Sequence, residues 1–93
     1  MMKKLIGITM TSESVAHALS ETEADIARLE QALQVAEEAA ATTVLNPDGG
    51  ADEAKQADSV RVELSATRLR HARLTTALDH ARARELDQAA ETA

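Results

Sequence analysis

The chain reads as an all-α protein: an antiparallel two-helix coiled-coil hairpin, two copies of which pair into a four-helix bundle. Three observations predict it. Apolar residues recur at alternating spacings of four and three in both halves of the chain, the one strong turn signal sits between the halves, and the halves carry opposite charge. The composition agrees, because Phe, Trp, Tyr and Cys are absent and Ala, Leu, Val, Glu and Arg dominate, as in long helices rather than sheets.

In the first half Val15, Leu19, Thr22, Ile26, Leu29, Leu33, Ala36 and Ala40 hold the seven-residue rhythm without a break. The spacing predicts a tail over 1–11 and a first helix over 12–43, capped by Ser12 or Thr11. Ser20-Glu21-Thr22-Glu23 has the form of a second capping box, but the seam runs through it and favours one continuous helix. Asn46-Pro47-Asp48-Gly49-Gly50 then forces a turn, placed over 44–51, since Pro cannot continue a helix and Gly supplies the conformations a tight turn needs.

The second helix is expected over 52–90, with Asp52 or Gly50 as its cap and Asp52 and Glu53 matched to the positive end of the helix dipole. Its seam is Ala57, Val60, Leu64, Thr67, His71, Leu74, Leu78 and Ala81. Ser12 to Ala41 carries a net −6 and Arg61 to Arg84 a net +4, so the helices attract. On the seam's edge, Glu23, Glu30 and Glu37 face Arg61, Arg68 and Arg82. Pairing residues whose numbers sum to 93 places Leu29 on Leu64, Leu33 on Val60 and Thr22 on His71, with 43–50 left as the loop. In that register a neutral His71 ring hydrogen-bonds the Thr22 hydroxyl inside an apolar stretch.

The expected function is non-catalytic protein–protein interaction or assembly, as an adaptor or scaffold. A net charge of −6 argues against nucleic acid and anionic membrane as partners. The basic stretch Arg61, Arg68, Arg70 and Arg73 is half accounted for by the acidic edge opposite. There is no Cys nucleophile and no Gly-rich phosphate loop, and no catalytic, cofactor-binding or metal-ligating residue is assigned. His17, four residues from both Glu13 and Glu21, reads as a solvated face, while His71 and His80 point to opposite sides of their helix. No small-molecule ligand is expected. No apolar run reaches the length of a membrane span, and Glu13 with the polar run Thr9 to Ser14 interrupts the signal-like start, so the cytoplasm is the expected location.

Two interaction surfaces stand out. A short chain with no Cys and no cluster of metal-ligand residues has a partner chain as its remaining source of stability, most simply a second copy in a homodimer. The second helix also carries an outer apolar row, Val62, Ala66, Leu69 and Ala83 with Leu86, suited to a further protein partner. The tip offers Asp48, Asp52 and Glu53. Here Ala51-Asp52-Glu53-Ala54 resembles the acidic tip of the DksA and TraR group, which implies a regulator reaching into the secondary channel of RNA polymerase; the chain lacks the cysteines of a zinc finger. In size and midpoint turn the chain resembles the small WXG-type secreted hairpins, with Asn46 to Gly50 where those carry Trp-x-Gly, and in bulk it is similar to small type III secretion co-chaperones.

Overall fold

A computed structural model describes residues 11–92, and within them two helices account for nearly the whole chain: α1, Ser12–Thr42, and α2, Ala51–Thr92. Residues 1–10, which hold most of the expected tail, lie outside the described residues. The helices pack antiparallel as a hairpin, long and thin at 71 × 28 × 14 Å.

Thr11 opens α1 with a reciprocal capping box, its hydroxyl accepting from the Ser14 amide at 3.1 Å and its own amide donating to Ser14 Oγ at 3.1 Å. This satisfies two backbone donors that an uncapped helix would leave to water. The helix continues unbroken through Ser20 to Glu23, so the inner capping box is not used. It ends at Thr43, whose amide and hydroxyl both donate to the Ala39 carbonyl, at 3.1 and 2.8 Å.

The loop 43–50 closes on itself. The Asn46 amide donates to the Thr43 carbonyl at 3.0 Å, the Gly49 amide to the Asn46 carbonyl at 2.8 Å, and the Gly50 amide to Asp48 Oδ1 at 3.0 Å. The last of these is an Asx turn, which gives Asp48 a structural role. Gly49 and Gly50 both have positive φ, +69° and +71°. Gly50 supplies the carbonyl that receives the first α2 bond, from the Ala54 amide at 2.9 Å, so it is the cap and Asp52 stands inside the first turn.

The expected seam is the buried stripe. Val15, Thr22, Leu29 and Ala36 of α1 are buried, with Leu19, Ile26, Leu33 and Ala40 half-buried between them. Ala57, Val60, Leu64 and Ala81 are buried on α2, and Thr67, His71, Leu74 and Leu78 are half-buried. Leu29, Val60 and Leu64 form the core cluster, with Ile26, Ala32 and Leu33 packed against it.

One expected contact is replaced. Thr22 Oγ1 donates to the Ala18 carbonyl at 2.7 Å, and His71 Nε2 meets Glu23 Oε2 at 3.1 Å instead of the Thr22 hydroxyl. A helical threonine has the carbonyl four residues back within reach, so it needs no partner across the seam. Thr67 and Thr75 on α2 bond in the same way, at 2.8 and 2.9 Å. The imidazole instead pairs with the Glu23 carboxylate on the seam edge.

A Cβ on Gly50 would stand 2.4 Å from Thr43 Oγ1 and 3.0 Å from the Thr43 carbonyl oxygen, whereas one on Gly49 would meet nothing within 4 Å. Gly49→Ala therefore carries only the left-handed backbone penalty, about 1 kcal/mol, and Gly50→Ala adds a steric clash to it, for about 2 kcal/mol or more. Urea unfolding of the two variants should rank Gly50→Ala clearly below Gly49→Ala; equal losses would contradict the close approach.

Candidate interaction surface

Four regions of the hairpin carry side chains capable of recognition. The first is the charged edge. Glu30 and Arg68 pair at 2.8 Å, Glu37 and Arg61 pair one heptad nearer the loop, and Arg61 also reaches Asp58 at 2.6 Å. These side chains are about half exposed, so each pair contributes only about 0.2–1 kcal/mol and acts chiefly on register and orientation. Glu23 extends the ladder to His71. Arg82, the remaining cation expected on this edge, lies near Glu85 and helps hold its charge.

The second region is the open end, where sequence reasoning missed a residue. Glu85 Oε2 accepts from the Ser12 amide at 2.8 Å and Oε1 from the Ser12 hydroxyl at 2.6 Å. A carboxylate from one helix thus caps the N-terminus of the other, where free amides and the dipole favour negative charge. The hydrogen bonds from the Ser12 hydroxyl and then its amide, with Arg84 and Arg82 nearby, lower the Glu85 pKa below the ordinary glutamate value. A signal was present: Glu85 continues the seam one step beyond Leu78 and Ala81, at the end where α1 begins.

The third region is the outer row of α2. Val62 and Leu86 are each 71% exposed, Leu69 is 51% exposed, and Ala66 and Ala83 are also exposed. The row falls into two patches, Val62 to Leu69 and Ala83 to Leu86, separated by roughly 21 Å of helix that presents Arg73, Thr76 and His80 on the same side. The fourth is the tip. Asp48, Asp52 and Glu53 come together there, as does an aliphatic pair that sequence reasoning passed over as part of the turn: Val44 and Leu45, the latter 94% exposed. Between Arg28 and Lys55 the chain has no cation and six acids, so the field around the tip is negative.

No pocket is enclosed among the described residues, and no group of three His, Cys, Asp or Glu among them is placed to hold a metal ion. No helix among them is long and apolar enough to cross a membrane. Compared with known proteins, the chain matches no family model, no curated protein and no solved structure.

The lowered Glu85 pKa fixes a sign. A carboxylate more acidic in the folded state than in the unfolded contributes stability that is full above the unfolded pKa and is lost as pH falls through the folded one. Glu85→Gln should therefore lower the melting temperature at about pH 7, and the gap to wild type should narrow as pH falls below the ordinary glutamate pKa of about 4.3. A gap that stays constant as pH falls would mean that the clamp acts through packing instead of charge.

Proposed function

We propose that this chain is a non-catalytic assembly or adaptor protein of the cytoplasm, which pairs with a second copy so that two hairpins make a four-helix bundle. The observation that carries the reading is surface. The chain exposes 7057 Å², whereas a compact monomer of its 9.9 kDa exposes about 5,200 Å². The surplus of roughly 1,900 Å² is more than twice the ~800 Å² that each partner gives up in a standard interface. Hydrophobic residues half-buried along a seam are what a second layer would finish covering.

The edge opposite the ion-pair ladder suits that second layer. Ala18, Ala32 and Ala39 of α1 and Ala77 of α2 are half-buried there, with the exposed Asp25, Glu63, Arg70 and Arg84 on the same edge, and the small side chains on α1 let a second helix pair approach closely. Once those faces are covered, the Val62, Ala66, Leu69, Ala83 and Leu86 row remains outside for a protein to be recruited.

A second reading, an acidic-tipped regulator, has one observation in its favour: the cation-free stretch from Glu30 to Ala54 ends in a loop ordered by its own hydrogen bonds. The two readings use different ends of the molecule and are not exclusive.

Sedimentation equilibrium at micromolar concentration should give a dimer, and Ala32→Glu should weaken it at least roughly tenfold by burying an unpaired charge, with Val62→Glu close to neutral. A folded, cooperative monomer would remove the bundle from the proposal.

A further inference from the structure

The tip presents aliphatic surface where the fold does not require it. Loops normally carry polar residues, and Val44 and Leu45 contribute nothing to the seam: they are 58% and 94% exposed. The backbone holding them is fully specified, by the Thr43 bonds to Ala39 before them and by the Asn46, Gly49 and Gly50 bonds after them. An apolar side chain on a preformed loop loses little conformational entropy on docking, which is the property of an anchor.

We infer that Val44 and Leu45 anchor the hairpin tip in an apolar pocket on a different protein, one whose rim is lined with Lys or Arg. This rests on the tip reading above and names its partner's chemistry. Charge selects the occupant. Asp48, Asp52 and Glu53 follow the pair within nine residues, no cation lies between Arg28 and Lys55, and Glu38 adds to the field on the α1 side. A second copy would bring the same acids to the same place and be repelled. A membrane surface rich in anionic lipid would be repelled for the same reason, and two aliphatic side chains are too few to hold a neutral one. A basic rim is attracted, steering the tip inward before the aliphatic contact forms. The acids alone do not supply an anchor, because Asp48 is committed to the Gly50 amide and Asp52 and Glu53 serve the first turn of α2.

The test places a diazirine analogue of leucine at position 45 of the full chain in the cells that make it, irradiates, and maps the adduct by mass spectrometry. The same analogue at Val35, exposed on the outside of α1, is the control. One adduct specific to position 45 is expected, to a protein other than this chain, with the attached peptide lining an apolar pocket flanked by Lys or Arg. Unlabelled wild-type chain should compete for it, and Leu45→Ser should compete roughly 10- to 100-fold more weakly at unchanged helicity. A chain with Asp48→Asn, Asp52→Asn and Glu53→Gln, which keeps the Asx turn, should also compete more weakly. Loss of competition on neutralising the acids but not with Leu45→Ser would leave an acidic tip and overturn the aliphatic anchor. Loss with Leu45→Ser alone would overturn the basic rim. An adduct to lipid, to a second copy, or none above the Val35 control would overturn the proposal.

Discussion

With no aromatic residue and no apolar side chain longer than Leu, Ile or Met, the space between the helices can be filled by only one row of small and medium side chains from each. Everything else about the molecule follows from that thin core. Of the residues along the seam, only alternate ones on α1 are fully buried, and the Leu and Ile residues between them keep part of their surface in water. The result is a slab 14 Å deep that buries little area and, among the described residues, encloses no pocket.

A seam made almost wholly of Ala, Val, Leu, Ile and Thr tolerates slippage, so register has to come from elsewhere. Three devices supply it at three places. At the loop, Gly50 sits against Thr43 closely enough to exclude any side chain. In the middle, Glu23, Glu30 and Glu37 meet His71, Arg68 and Arg61 across the edge. At the open end, Glu85 closes on Ser12. None of these contacts is individually strong in water; a shift by one heptad would bring Glu30 to Arg61 and Glu23 to Arg68, so the ladder excludes smaller slips and the contacts at the two ends exclude the heptad shift.

Much of this was legible in the residues because a seven-residue rhythm over eight seam positions per helix leaves few alternatives, and because Pro47 and the two glycines fix where it must stop. The loop 43–50 and the acid-to-base edge were readable on the same grounds. His71 was not, since a seam position says that a ring is near the core but not which way it turns once threonines satisfy themselves along their own helix. Glu85 was hidden because an acid at a seam position reads as the end of the pattern; its role depends on where the other helix begins. Val44 and Leu45 were absorbed into the turn, and only their exposure sets them apart. The proposed function leaves no motif, because a helix face recognises a partner through shape and patch chemistry that many sequences can supply.

In the proposed assembly one hairpin is half a structure, so that folding is coupled to covering the seam. Urea unfolding followed by circular dichroism over a hundredfold range of protein concentration tests it most directly. If the seam is completed by a second copy, the midpoint rises with concentration, since dissociation accompanies unfolding. A midpoint that does not move, with a cooperative transition at every concentration, would show that the single hairpin is stable alone and would contradict the claim.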